Sequence, residues 1–222
     1  MSHLHLPDGV VPLWLWAPAW PIALALLALS NRSVPPQRVA YQGALGALML
    51  AAMAVPLGPL EFHLTLAGPV GILLGAAGAL PVVFVVSAIL AFLGHGGLTV
   101  IGLNTFVLAA AAATASVAFR ALGRLRPAWG MALASAAGQL VAGVLWAGIV
   151  YATLRAGPLP AGGARPAPRV ELFTGLVLVL WIVGTLVESV VAFGIGRFLM
   201  NVHPALLPRA PKARNSEVEA AA

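Results

Sequence analysis

The stretch Phe62-His63-Leu64-Thr65-Leu66-Ala67-Gly68-Pro69-Val70-Gly71-Ile72-Leu73-Leu74-Gly75-Ala76-Ala77-Gly78-Ala79-Leu80-Pro81-Val82 runs on, apolar, to Gly94. It decides how the chain is threaded. No Asp, Glu, Lys or Arg interrupts it, and the charge-free run continues to residue 119. A bilayer span needs roughly 20 apolar residues, so 62–94 is long for one span and short for two. The flanking arginines resolve this. Arg32 and Arg38 on one side, and Arg120, Arg124 and Arg126 on the other, belong in the cytoplasm, where connecting loops carry basic residues. Residues 39–57 and 98–119 supply one crossing each. The stretch 62–94 must therefore cross twice or re-enter, with Pro69, Gly71, Gly75, Gly78 and Pro81 as candidate breakers.

Working outward gives spans at 12–29, 39–57, 64–79, 81–94, 98–119, 130–154 and 172–200. The chain reads as an all-α polytopic transmembrane bundle of about seven spans, N-terminus outside and C-terminus inside. Residues 1–11 form an N-terminal segment, 12–200 the transmembrane domain and 201–222 a disordered cytoplasmic tail. Of the 222 residues 61% are hydrophobic and 8% charged, more apolar surface than a soluble domain can bury. This topology puts Arg32, Arg38, Arg120, Arg124, Arg126, Arg197, Arg209, Lys212 and Arg214 inside, and Arg155, Arg165 and Arg169 outside. The net charge of +6 thus reflects orientation in a lipid bilayer and calls for no nucleic-acid partner. The first basic residue, Arg32, follows the first apolar run, so no cleavable signal peptide is expected. The Pro/Gly-rich stretch 155–171 reads as an irregular outer connector.

The topology also gathers His3, His5, His63 and His95 on the outer face and leaves His203 inside. His3 and His5 lie in Met1-Ser2-His3-Leu4-His5-Leu6-Pro7-Asp8-Gly9, where Pro7 and Asp8-Gly9 favour a turn that folds the segment back onto the bundle. An α-amine, backbone amides and imidazoles form a nitrogen-rich site that suits nickel, copper or cobalt better than calcium or magnesium. His63 reads as an interfacial residue at a span entrance, with Glu61 beside it to orient the ring or attract a cation. His95, in Gly94-His95-Gly96-Gly97-Leu98-Thr99 with Asn104 following, reads equally as a tight-turn histidine or as support to a metal site. Glu188 interrupts an apolar helix. It is a functional candidate, or a structural link to Arg197 or to a hydroxyl on another helix.

Absences narrow the function. With no cysteine there is no thiolate metal site. With no phosphate-binding Gly-Lys-Ser/Thr loop, and Lys212 the sole lysine, the chain cannot be its own ATPase. No catalytic residues and no bound organic cofactor are expected.

The order His5-Leu6-Pro7-Asp8-Gly9, then His63, then His95-Gly96-Gly97-Leu98-Thr99 with Gly102, Asn104, Thr105 and Phe106 resembles the CbiM/NikM family. These are substrate-binding membrane subunits of energy-coupling-factor transporters for cobalt and nickel. The resemblance spans residues 5 to about 200. It implies that cobalt(II) or nickel(II) is the transported substrate. It also implies a coupling transmembrane subunit, ATP-binding-cassette ATPase subunits and a small accessory membrane subunit as partners. The implied ligands are the α-amine, the amide and imidazole of the residue after the initiator methionine, and a second imidazole. His5 would take the first imidazole role and His63 the second, with His3 and Met1 as further candidates and Asp8, Glu61, His95 and Asn104 in support.

Two positions depart from the pattern. Gly-Pro-Leu-Glu-Phe precedes His63 where many members carry Gly-Gly-Thr/Ser. His5 also lies later than the second position that amine chelation demands. Initiation at Leu4, removal of Met1 to leave Ser2-His3, or chelation by Met1-Ser2-His3 would each restore an amine–histidine chelate. The first restores the family register without new chemistry. Rival readings are a membrane haem protein with His63 and His95 as axial ligands, or a structural assembly subunit that binds no metal.

Overall fold

The computed structural model describes residues 6–32, 35–55, 63–155 and 170–208, with 170–178 described by backbone course alone. Its described elements are helices: α1 (Leu13–Trp16), α2 (Ala19–Asn31), α3 (Val39–Ala54), α4 (Ala67–Phe92), α5 (Ile101–Ala121), α6 (Pro127–Arg155) and α7 (Val170–Val202), with 3-10 turns at Pro36–Arg38 and Pro204–Leu206. Leu13–Asn31, α4, α5, α6 and Val179–Val202 are each long and apolar enough to cross a membrane. Helices are the expected answer in lipid, because each satisfies its own backbone polar groups. The stretch 155–171 and the tail beyond 208 lie largely outside the described residues.

Although α4 counts as one helix by length, it is not one rod. A straight helix of its 26 residues would hold its ends about 39 Å apart. Yet the ring of His63, just before α4, lies 5.7 Å from that of His95, just after it. The helix therefore doubles back. It does so at Gly75, whose φ of 76° and ψ of 164° are open to glycine and strained for other residues. The returning limb, 76–92, rises about 26 Å. The outgoing limb, 67–74, rises only about 12 Å, and the non-helical residues 63–66 add up to about 13 Å more. The two sides match in length because one is completed by irregular backbone. Both limbs share a core with α5: Val70 and Leu74 from one, Val83, Val86 and Leu90 from the other, with Val107 and Leu108.

The expectation that 62–94 crosses twice or re-enters is thus met by a fold-back, with its turn several residues earlier than the expected boundary near residue 80. The other proposed breakers do not break. Pro69 sits in the first turn of α4, where its missing N–H is not needed. Gly71 lets α4 approach the backbone of Ala112, and Gly68 approaches Ser135. Pro81 stays helical because its cost is covered from outside. It cannot donate to the carbonyl of Ala77, and Ser30 Oγ donates there instead at 2.7 Å. Gln42 Nε2 donates to the neighbouring Gly78 carbonyl at 2.8 Å.

The bundle so defined has two unlike ends. Arg38, Gln42 and Arg120 surround the Gly75–Gly78 turn at a cavity of about 340 Å³. At the opposite end Leu6, Val11, Val100 and Leu103 form a small core under the incoming N-terminal segment, next to the loop that carries His95.

Candidate metal centre

Residues 6–9 lie back against the bundle, as Pro7-Asp8-Gly9 suggests, and hydrogen bonds show how. The Leu6 amide donates to Asn104 Oδ1 at 2.9 Å. Asn104 Nδ2 returns a longer bond to the Leu6 carbonyl at 3.4 Å, and the Gly97 amide donates to the same carbonyl at 3.0 Å. Leu6 is only 3% exposed, so these polar groups are removed from water and need the partners they have. Asp8 closes the clasp, accepting from the amides of Leu98 and Thr99 at 2.8 Å each and from the Thr99 hydroxyl. A side chain at Gly97 would collide with Asp8, so that glycine is a condition of the contact. Burial opposes the charged form of Asp8. The Thr99 hydroxyl and the Thr99 and Leu98 amides outweigh it, and the carboxyl titrates below its ordinary 3.8. Trp20 Nε1 braces the same loop through the Thr99 carbonyl at 2.7 Å.

His63 and His95, remote in sequence, meet edge to face at this end, with an interplanar angle of 78°. His95 Nδ1 is buried and has no hydrogen-bond partner among the described residues. His63 is 8% exposed: the doubled-back α4 and the segment before it pack its ring against protein. Two residues on, Thr65 is held by a buried carboxylate. Its amide donates to Glu188 Oε1 at 2.6 Å and its hydroxyl to Oε2 at 3.1 Å. Gln139 Nε2 donates to Oε2 at 2.6 Å and to Thr65 Oγ1 at 2.7 Å. Of the two structural partners considered for Glu188, the hydroxyl on another element is the one present. The next residue, Leu66, has φ 52° and ψ 14°, a left-handed conformation that costs roughly 1–2 kcal/mol outside glycine. Its side chain is buried, which offsets that cost.

Of the residues expected to form the site, His63, His95, Asp8 and Asn104 are brought to one end of the bundle. Asp8 and Asn104 hold backbone there. Met1, His3, His5 and Glu61 lie outside the described residues. Among the described residues no group of three or more His, Cys, Asp or Glu side chains could enclose a metal by itself. Sequence reading missed Thr65 and Gln139. Gln139 was open to notice as an uncharged polar residue inside the charge-free run 127–154.

A polytopic helical bundle with two imidazoles, His63 and His95, in contact at one end defines a multi-pass membrane protein with a histidine-bearing site. Residues 5–206 match the CbiM family, described as the cobalt uptake substrate-specific transmembrane region, and the chain belongs to that family. It is a multi-pass membrane component of cobalt or nickel transport and a transport protein, and its family forms part of multi-subunit transporters. Two solved structures share the fold. One, a transition metal transporter, is 20% identical with a TM-score of 0.74, over 89% of this chain and 93% of that one. The other, a truncated transition metal transporter, is 21% identical with a TM-score of 0.73, over 90% of this chain and 99% of that one. No curated protein sequence matches.

Proposed function

We propose that this chain is the substrate-capture subunit of an energy-coupling-factor importer, binding cobalt(II) or nickel(II) at the end of the bundle that carries His63 and His95. That end faces outward and the arginine end faces the cytoplasm, with α4 making two of seven passes. The supporting observation is convergence. The backbone of Leu6, one peptide bond after His5, is anchored by Asn104 on the loop and helix that follow His95, while His95 stacks edge-on against His63. The His95 ring, 5.7 Å from that of His63, flanks the site in a supporting role. His63 supplies one nitrogen, and the N-terminal amine, an amide and the imidazole of His5 or His3 supply the rest. Coupling and ATPase subunits drive the release of the ion inward.

An amine is a ligand only while it is free. Extending the N-terminus with a tag converts it to an amide, so nickel binding by calorimetry should be lost, whereas a C-terminal tag should leave it intact. Equal affinity of the two tagged forms would remove the amine from the site. A haem-type absorbance spectrum from the purified protein would instead favour the haem reading. Orientation is checked by an impermeant thiol reagent, which should reach Leu93→Cys from outside and Gly123→Cys only from inside. Gly97 is unsuitable for labelling because of its contact with Asp8.

A further inference from the structure

We infer that Glu188 is a positioning residue for the metal site, acting through Thr65 on His63. This rests on the proposal that His63 is a ligand.

Residues 63–66 are non-helical backbone within the bundle. Away from water, a backbone amide there must find a partner in the protein. Among the described residues, every hydrogen bond to the Glu188 carboxylate comes from a donor: the Thr65 amide, the Thr65 hydroxyl and the Gln139 side chain. The carboxylate therefore acts as an acceptor that fastens residue 65 to α6 and α7 at once. Glu188 is 3% exposed, and its partners Thr65 and Gln139 are buried as well. The Thr65 hydroxyl is fully used: it accepts from Gln139 and, at 3.3 Å, from the Ala67 amide, and donates to Glu188. Only Leu64 separates this fastened residue from His63. Downstream, the left-handed turn at Leu66 leads straight into α4. The backbone on the far side of His63 is thus fixed, and the imidazole is aimed from it. A neighbouring group that orients a metal-ligating histidine commonly changes affinity 10–100-fold when lost.

The donor pattern makes the inference testable by exchange. In Glu188→Gln one oxygen becomes an NH₂ group. With its oxygen on the Thr65 amide, that group faces Gln139 Nε2, and satisfying it requires the Gln139 amide to flip and withdraw its donor from Thr65 Oγ1. Adding Gln139→Glu transposes the pair: the new side-chain amide at position 188 accepts from the Thr65 amide through its oxygen and donates to the new carboxylate at position 139.

The experiment titrates nickel(II) into detergent-purified wild type, His63→Ala, Glu188→Gln and the Glu188→Gln/Gln139→Glu double variant, following heat and the ligand-field absorption of bound nickel. Expected are a 10-fold or greater loss of affinity with a shifted absorption band in Glu188→Gln, and recovery of both in the transposed variant. A Glu188→Gln protein that is folded and binds with wild-type affinity and spectrum overturns the inference. So does a loss that transposition does not restore. Should Glu188→Gln fail to fold, Gln139→Leu, which removes one donor and leaves the Thr65 amide bond, decides: wild-type affinity and spectrum there count against positioning, and a shifted band supports it. If wild type does not bind nickel, or His63→Ala binds as wild type does, the functional reading has failed instead.

Discussion

The two turns that bound the α4 fold-back are built in opposite ways. At the arginine end a single residue, Gly75, reverses the helix, and the nearby carbonyls of Ala77 and Gly78 are met by Ser30 and Gln42 from neighbouring elements. At the histidine end the chain leaves helical geometry for several residues on each side, at 63–66 and 93–100. That backbone is held by side chains brought from a distance, Glu188 on the Thr65 amide and Asp8 and Trp20 on Leu98 and Thr99, while Gln139 secures the Thr65 and Glu188 side chains and Asn104 secures Leu6. One end reverses the chain with the least irregular backbone. The other uses irregular backbone to bring His63, His95 and the Leu6–Asp8 segment together. Within a membrane, non-helical backbone is tolerated only where protein groups satisfy it. The end that carries such a burden is the end with candidate ligands.

The largest effect should come from breaking the platform common to both turns. Gly71 lies against the backbone of Ala112, where a β-carbon has no room. Gly71→Leu should separate the outgoing limb of α4 from α5 at a cost of about 3 kcal/mol or more. The expected readout is loss of monodisperse protein on size exclusion. A well-folded Gly71→Leu protein with unaltered melting would mean that the fold-back is not packed as described.

A smaller and more local effect is expected from Asn104→Ala. It removes both side-chain bonds to Leu6 while the Gly97 amide still serves the Leu6 carbonyl. The orphaned Leu6 amide should cost about 1–3 kcal/mol, and nickel affinity should fall about 10-fold or more as the N-terminal segment loosens. The arginine end should be unaffected, which thiol accessibility at Gly123→Cys would report.

The smallest effect concerns pH. A carboxyl whose folded pKa is depressed contributes stability above its unfolded value and loses it as pH falls through the folded one. For Asp8 that window lies below 3.8. Between pH 5 and pH 8 the Asp8 clasp should therefore not titrate, and metal affinity should still decline toward acid because nitrogen ligands must be deprotonated. Asp8→Asn should weaken binding modestly without moving the midpoint of that decline. A shifted midpoint would place Asp8 in direct contact with the ion.

Much of this arrangement was legible in the sequence, for physical reasons that differ by feature. The fold-back of 62–94 followed from the arginine clusters, because orientation in a bilayer restricts the parity of crossings. Its turn did not, because Pro69, Gly71, Gly75, Gly78 and Pro81 all look like breakers locally. The partners that decide among them, Ser30 and the backbone of Ala112, come from other helices. The return of residues 6–9 was legible in Pro7-Asp8-Gly9, since turn chemistry is local; the bonds that secure it, of Asp8 with Leu98 and Thr99 and of Leu6 with Asn104, are not local and were not. The burial of His63 was not: nothing near residues 63–66 in sequence announces Glu188 and Gln139, which come from other helices to satisfy Thr65 inside the bundle.

The central claim is that the histidine end holds the transported ion through His63. Nickel(II) titration of untagged wild type and His63→Ala, with melting followed in parallel, tests it most directly. Removing one of four nitrogen ligands should weaken binding by about 100-fold or more, roughly 2.7 kcal/mol, while His63→Ala remains folded in detergent. Equal affinities in two folded proteins would contradict the account.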